Sequence, residues 1–418
     1  MKILYLHQYY NTPKMSGGTR SFEMARRLVA EGHEVHVVTS LRDEERSSSE
    51  WLHSSEEGVN VHWLPVPYSN KMNYFARIRA FVRFAARSRA KLINLGGDLI
   101  FATSTPLTVA IPGVLASKQM NIPMVFEVRD LWPELPIAIG ALRSPLSKIL
   151  AKSLERWAYK NSSAIVALSP GMKKGVVDSG FPSNRIAVIP NSCDLTLFAP
   201  REINSKITGT NDRDFGAAPL LLYAGTLGKI NGVGYLIDLA ISLKALNSPV
   251  KVLVVGDGSE RVDLVNEAAK LGVLGKNIFF KYRIPKADVP ALFHRASMAC
   301  TLFIDLPEMR ANSANKFFDT LASNTPVFIN YGGWMHDMVV KHEMGISGWR
   351  RSVQDAAKDI DMKMSNRDWL IKAGNNAFTI GNRFFNRDQL ASQLSQVFQL
   401  VLDGNNEQVE SIAPGNYH

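Results

Sequence analysis

Apolar and polar positions along the chain fall into two successive series in which short apolar runs alternate with segments of helical period. The first series opens on an apolar run at Lys2–Leu6, of strand length, and a helix is expected from about Thr19 to Glu31. Phe22, Ala25, Leu28 and Val29 give that helix an apolar stripe, and Gly32 stops it. Further strands are expected at Glu34–Thr39, Val59–Leu64, Asp98–Thr103, Pro123–Val128, Ser163–Leu168 and Arg185–Ile189, with helical patterns between most of them. A polar stretch from Arg201 to Ala218, containing Asn204, Ser205, Thr208, Gly209, Thr210 and Asn211, reads as an interdomain linker. The second series places strands at Leu220–Ala224, Lys251–Val255, Asn277–Lys281, Met298–Leu302 and Val327–Asn330. Short apolar strands alternating with helices predict an α/β protein with parallel sheets covered on both faces. Two such doubly wound sheets in tandem are expected to face a cleft, with ligands at the C-terminal ends of the strands. The expected division is 1–200 and 201–382, then a helix over 383–402 that crosses back to the first domain, and a tail over 403–418.

Composition narrows the classes. A length of 418 residues suits two domains, and 46% hydrophobic with 21% charged residues is globular. The two cysteines, Cys193 and Cys300, support neither a disulfide framework nor a Cys-based zinc site, and they fit a reducing compartment. The N-terminal apolar run is too short for a signal-peptide core, and no apolar stretch reaches the roughly 18–20 residues of a spanning helix. The expectation is a cytoplasmic protein that does not span a membrane. A net charge of +10 favours anionic partners. Neither an RNP-like aromatic motif nor zinc-finger spacing is present, so nucleic acid ranks last among them.

Part of that charge is concentrated. From Tyr74 to Ile93 the sequence reads as an amphipathic helix with Ile78, Phe81, Val82 and Ala85 on its apolar side. Arg79, Arg83, Arg87 and Lys91 form a row at spacing four, flanked by Arg77 and Arg89. These cations, without one acid among them, point to an anionic membrane surface at roughly 1 kcal/mol per cation. The local alternative is a core-packed helix with a solvated basic side.

Three loops of the second series carry candidate chemistry. Gly225-Thr226-Leu227-Gly228-Lys229 with Asn231-Gly232 lets the backbone approach a phosphate ahead of a helix, or is an ordinary βα turn. Gly256-Asp257-Gly258-Ser259-Glu260-Arg261 has Arg261 where a dinucleotide fingerprint needs its third glycine. The third segment runs from Glu308 to Asp319 and includes Asn315-Lys316-Phe317-Phe318-Asp319. Ser313 is its expected N-cap, and Lys316 and Asp319 are neighbours on the helix surface, able to meet a phosphate and a ribose diol or simply to pair with each other. In the first series, Gly17-Gly18 precede a helix start, with Arg20 beside them. Glu127-Val128-Arg129-Asp130 ends an apolar strand, where buried charge serves either chemistry or a mutual Glu–Arg–Asp network.

The order of Asn315–Asp319, Pro326-Val327 and Tyr331-Gly332-Gly333-Trp334 resembles glycosyltransferase family 4, whose fold is GT-B, two Rossmann-like domains. The resemblance includes Ser16-Gly17-Gly18-Thr19-Arg20, Ser169-Pro170-Gly171-Met172, Ile189-Pro190-Asn191 with Asp194 and Phe198, and Gly256-Asp257-Gly258. Asp130-Leu131-Trp132-Pro133-Glu134 looks like the bacterial O-antigen and capsule subgroup close to L-fucosamine transferases. It implies a retaining, metal-independent transferase. The implied donor is a nucleotide-diphosphate sugar, UDP-linked and an N-acetylated amino sugar, with no further cofactor. A polyprenyl-diphosphate-linked saccharide is the implied acceptor, and the inner face of the cytoplasmic membrane the implied place of action.

The implied donor site comprises Gly17, Gly18, Arg20, Gly225, Thr226, Lys229, Gly256, Arg283, Asn312, Ser313, Asn315, Lys316 and Asp319. Catalysis is assigned to Asp130 as the group that orients or deprotonates the acceptor, then Glu127, and to Lys229 at the leaving diphosphate. Two departures stand out. The family's paired glutamates lie eight positions apart, and here Asp319 holds the second position while Ala311 holds the first. Thr226 and Asn231 replace the family's basic pair, which leaves the diphosphate to Lys229, Arg283, Arg310 or Lys316, with Lys229 and Lys316 favoured. Asp212-Arg213-Asp214 and Asp359-Ile360-Asp361 match the Asp-x-Asp string of metal-dependent transferases only by letter. The rival readings are a UDP-sugar 2-epimerase of the same fold and a non-catalytic membrane-associated sugar-nucleotide sensor.

Overall fold

The computed structural model describes residues 1–15, 17–42, 50–66, 74–198 and 215–417. Ser16, the side chains of Arg77 and Ile78, most of the expected linker and the Asp212-Arg213-Asp214 string lie outside the described residues. The chain forms two compact units, one of residues 1–190 with 388–416 and the other of residues 191–387 with Tyr417.

The first unit contains β1 (Lys2–Leu6), α1 (Arg20–Ala30), β2 (Glu34–Leu41), β3 (Leu52–Glu56), β4 (Val59–Pro65), α2 (Tyr74–Leu95), β5 (Leu99–Thr103), α3 (Ala110–Met120) and β6 (Met124–Val128). It continues through α4 (Glu134–Ala138), α5 (Pro145–Lys160), β7 (Ala164–Ala167), α6 (Pro170–Asp178) and β8 (Ile186–Val188). The second unit contains β9 (Leu220–Ala224), α7 (Tyr235–Ala245), β10 (Lys251–Val255), α8 (Arg261–Lys270), β11 (Ile278–Lys281), α9 (Val289–Arg295) and β12 (Met298–Thr301). After these come α10 (Asn315–Ala322), β13 (Val327–Ile329), α11 (Trp334–Lys341), β14 (Gly345–Ser347), α12 (Val353–Met364) and α13 (Arg367–Phe385). The chain then returns to the first unit through α14 (Arg387–Leu402) and α15 (Val409–Ile412).

The first sheet runs β3-β4-β2-β1-β5-β6-β7-β8 and is parallel except for the edge strand β3, which is antiparallel to β4. The second sheet, β11-β10-β9-β12-β13-β14, is parallel throughout. Strands β5, β6 and β7 are buried at every position, as parallel strands covered on both faces must be. That two-sided burial makes them uniformly apolar and so legible in sequence. Strand β3, Leu52-His53-Ser54-Ser55-Glu56, is a half-exposed edge without an apolar run, and β14 has only three residues; neither announces itself.

Helix α14 explains the return of the chain. Leu390, Ala391, Leu394, Val397, Phe398 and Val401 lie on one helical face and enter the core formed by Ile3, Tyr5, Phe22, Leu28 and Phe101. Phe398 meets Phe101 edge-on, with ring centroids 5.0 Å apart. The second core gathers Leu236, Leu239, Ala240 and Leu243 of α7 with Val252, Val254 and Ile360. In each sheet the order reverses once, between β1 and β5 and between β9 and β12. Loops leaving β1, β5, β9 and β12 therefore border the crevices where open α/β sheets take ligands.

The basic helix corrects an expectation. Its packed face is Ala80, Phe84, Ser88 and Leu92, a spacing of four, and the Ser88 hydroxyl is satisfied by the Phe84 carbonyl at 2.6 Å. Of the expected apolar side, Val82 is 62% exposed, and Phe81, Val82 and Ala85 border a groove against α3, so the core-packed alternative does not describe this stripe. Lys91 also leaves the expected cationic row. Its ammonium lies 5.6 Å from the Trp51 ring, and partial burial lowers its pKa, whereas Arg79 and Arg87 face outward.

Candidate active site

In the second unit the loop after β9 is locked to the loop after β10. The Gly225 N–H donates to the Val255 carbonyl (3.0 Å), and the Leu227 N–H donates to Asp257 (2.9 Å). A Cβ on Gly256 would lie 1.8 Å from the Gly225 carbonyl oxygen, and one on Gly258 would lie 2.3 Å from that of Leu227. Gly256 was expected at the donor. Its bare face is instead occupied by the neighbouring backbone, and loop-to-loop packing accounts for the glycine.

Gly225 borders Lys316, whose Cε would be 3.4 Å from a Cβ at that position. Lys316 stands in the first turn of α10 and donates from Nζ to the Tyr223 hydroxyl (3.0 Å). The hydroxyl in turn donates to the Thr226 carbonyl (2.8 Å), so a single relay fixes both the lysine and the glycine loop. The ammonium lies 4.5 Å from the Tyr223 ring centroid and 5.2 Å from that of Phe303. Burial lowers the Lys316 pKa to about 7, and no carboxylate is among the groups that act on it. The expected Lys316–Asp319 neighbourhood is thus not an ion pair. Lys316 stands between two aromatic rings and a phenol beside bare backbone, with burial unopposed by any carboxylate.

Asp319, one turn later, answers to other groups. Burial raises its pKa to about 6; Lys286 and Arg387 oppose that rise, and Asp194 adds to it. Arg387 is itself paired with Asp194 at 2.6 Å and donates to the Ser192 hydroxyl at 3.0 Å. Ser313 does not cap α10. The cap position is Ala314, and the Ser313 hydroxyl accepts the Asn191 N–H (3.2 Å) while its carbonyl accepts the Asn191 amide (2.6 Å). The Asn312 carbonyl accepts the Trp334 indole N–H (2.7 Å). These two expected donor contacts have their polar groups engaged within the protein, whereas Asn315, Thr226 and Arg283 are exposed. Lys229 is exposed on a short turn and lines a cavity of about 650 Å³ with Asp238, Asp263, Trp349 and Arg351; neither Lys316 nor Asp319 borders it. Asp359, half of the second Asp-x-Asp string, is paired with Arg351 at 2.6 Å.

In the first unit Gly17 takes a φ of +124°, and a Cβ there would lie 2.7 Å from the Asn11 side-chain amide. Gly17 and Gly18 are exposed just ahead of α1, which begins at Arg20 without a side-chain cap. Arg20 is turned inward. It is 6% exposed, pairs with the fully buried Glu127 at 2.9 Å, and donates to the carbonyls of Ile189 (2.8 Å) and Pro190. The other Glu127 oxygen accepts the Thr103 hydroxyl at 2.5 Å. This corrects two expectations: Arg20 is not presented to a donor, nor Glu127 to an acceptor, because each neutralises the other in the core.

The expected Glu127–Arg129–Asp130 network is divided accordingly. Arg129 reaches His7 (3.4 Å) and Ser21 (3.5 Å). Asp130 is half-buried at the end of β6 and accepts the Thr105 hydroxyl (3.3 Å). Burial raises its pKa, with Arg129 opposing. Tyr223, Phe303, Lys286 and Arg387 were not legible as site residues. Tyr223 stands in an apolar strand and reads as core, and Lys286 and Arg387 are remote in sequence from what they act on.

The family model described as "Glycosyl transferase 4-like domain" matches residues 17–192, and "Glycosyl transferases group 1" matches residues 210–379. A curated relative, the putative colanic acid biosynthesis glycosyl transferase WcaI of Escherichia coli (strain K12), is 24% identical over 67% of this chain and 71% of its own. Among solved structures, the sucrose-phosphate synthase of Thermosynechococcus elongatus superposes with a TM-score of 0.75 at 16% identity, covering 96% of this chain and 99% of the other. HepE of Anabaena in complex with UDP superposes with a TM-score of 0.68 at 17% identity, covering 96% and 100%. The two domains are those of a GT-B glycosyltransferase. The protein is a glycosyltransferase.

Proposed function

We propose that the protein transfers an N-acetylated amino sugar, with retention of configuration and without a metal, from a UDP-linked donor to a polyprenyl-diphosphate-linked saccharide in surface-polysaccharide assembly. The observation that carries the donor side is the Lys316–Tyr223 relay against Gly225, a preformed cationic seat at the sheet's switch point. Lys316 and the first amides of α10 meet the leaving diphosphate, and Asp319 accepts the ribose hydroxyls. As the bond from the anomeric carbon to the diphosphate oxygen breaks, the acceptor oxygen bonds from the same face. Its proton passes to the departing diphosphate, with Asp130 orienting the acceptor. The amino-sugar and lipid-acceptor choices are supported by the Asp130–Glu134 motif and by a relative named for colanic acid biosynthesis. The place of action is the inner face of the cytoplasmic membrane, met through the cations of α2. Among the described residues no helix is long and apolar enough to cross a membrane.

The test is a screen of nucleotide sugars for nucleoside-diphosphate release with polyprenyl-diphosphate sugars as acceptors, the products being identified chemically. A new glycosidic bond is expected. An epimerised nucleotide sugar, or binding without turnover, would replace the proposal with one of its rivals. Asp130→Asn is expected to lower kcat about 100-fold or more at unchanged donor affinity; unchanged turnover would remove Asp130 from the role. Asp319→Ala is expected to weaken UDP binding about tenfold while leaving inorganic pyrophosphate binding unaltered, as calorimetry would read directly.

A further inference from the structure

The outward face of α5 is apolar where a solvated helix would be polar. Leu146, Ile149 and Leu150 are 65%, 62% and 60% exposed, and their spacing of three and one puts them on one stripe. Ile139, at the end of α4, is 47% exposed. Arg143 ahead of α5 and Lys152, Arg156 and Lys160 along it are exposed, while the one acid of α5, Glu155, is turned inward and takes the Tyr159 hydroxyl at 3.1 Å. Helix α3 packs against both α5 and α2. It thereby places the stripe on the same flank of this unit as the open groove of about 350 Å³ that Phe81, Val82, Ala85 and Leu115 line, with Arg89 at its rim.

We propose that α5 is a membrane-insertion element: Leu146, Ile149 and Leu150 enter the acyl region of an anionic bilayer while these exposed cations meet its headgroups. Charge selects this occupant. A second copy of the chain would set the same cations against themselves, whereas an anionic lipid surface neutralises them. Exposed aliphatic side chains without a rigid aromatic anchor suit a deformable apolar medium better than a protein pocket. The proposal deepens the membrane part of the reading above and is independent of donor and acceptor. It also divides the labour: α2 supplies attraction that salt screens, and α5 supplies burial that salt does not.

The test is co-sedimentation of the full chain with vesicles of phosphatidylcholine containing about 30% phosphatidylglycerol, at about 0.1 M and about 0.5 M NaCl. The wild-type protein is expected to bind at low salt and to retain part of that binding at high salt. Leu146→Ser/Ile149→Ser/Leu150→Ser is expected to lose the salt-resistant part, about tenfold or more in partition, at an unchanged circular dichroism spectrum and unchanged UDP affinity. Arg79→Glu is expected to lower only the salt-sensitive part. Equal binding by the triple variant and the wild type at both salts overturns the proposal. So does the absence of wild-type binding, or a triple variant whose only change is loss of self-association in light scattering. None of these outcomes bears on transfer, which the release assay reads separately.

Discussion

Lys316→Met is expected to weaken binding of UDP about 10- to 100-fold, the worth of one charge-assisted contact to a diphosphate, while leaving the melting temperature unchanged or raised. The two halves of that expectation have opposite signs for one reason. In the free protein the ammonium is desolvated against Tyr223, Phe303 and Gly225 with no carboxylate acting on it, which lowers its pKa to about 7. A group whose folded pKa lies below its unfolded one binds fewer protons folded than unfolded. It therefore lowers stability at and below neutral pH, and stability recovers as pH rises toward the unfolded value. Methionine keeps the apolar stem and removes that cost. In the proposed role the donor would restore what the fold withholds, because a diphosphate beside Nζ favours the charged form. Binding at pH 8 is accordingly expected to take up a proton, and affinity to fall as pH rises above about 7. Calorimetry in two buffers of different ionisation enthalpy measures the uptake. A Lys316→Met protein that binds UDP like the wild type, or wild-type binding without proton uptake, would show that the seat is not used.

Glu127→Gln is expected to destabilise the first unit by about 3–5 kcal/mol, because it leaves the Arg20 guanidinium buried without its counter-charge. The unfolding midpoint should fall on the order of 10 °C. The pair is fully enclosed, and its partners are the Thr103 hydroxyl and the carbonyls of Ile189 and Pro190, the last residues before the chain enters its second unit. Arg20→Met/Glu127→Leu should recover part of the loss, since it removes both charges together, but not all of it, since the two carbonyls lose their donor. Thermal denaturation of the three proteins decides the matter. A Glu127→Gln protein as stable as the wild type, with activity selectively lost, would return Glu127 to chemistry.

The placement of these two lysine and glutamate roles shows what a linear pattern carries. Lys229 and Lys316 are equal candidates for the diphosphate in the sequence, where Thr226 and Asn231 replace the resembled family's basic pair. Only the fold separates them, with Lys316 against Tyr223 and Lys229 on another cavity. Glu127 reads with Arg129 and Asp130 as a neighbour in the chain, yet its partner is Arg20, on another element. Nothing in the sequence couples the two: the fold sets β6 beside α1, and desolvation then forces the nearest opposite charges together. Gly256 gave the opposite error. A glycine after a strand reads as a ligand approach, and only the register of β10 against β9 shows that the Gly225 carbonyl fills its space.

The sequence by itself determined the α/β class, the two strand–helix series and most strand positions, because strands buried on both faces must be apolar throughout and their loops polar. It also singled out the loops after β9 and β12 as candidate chemistry, through Gly225, Lys229 and Lys316. The tertiary structure alone decided which charges meet, which glycines are filled by backbone, and which face of α2 packs. It also set an apolar stripe on α5 outside the core. Those outcomes depend on contacts between residues far apart in the chain, where burial and register, rather than neighbouring letters, fix the partner.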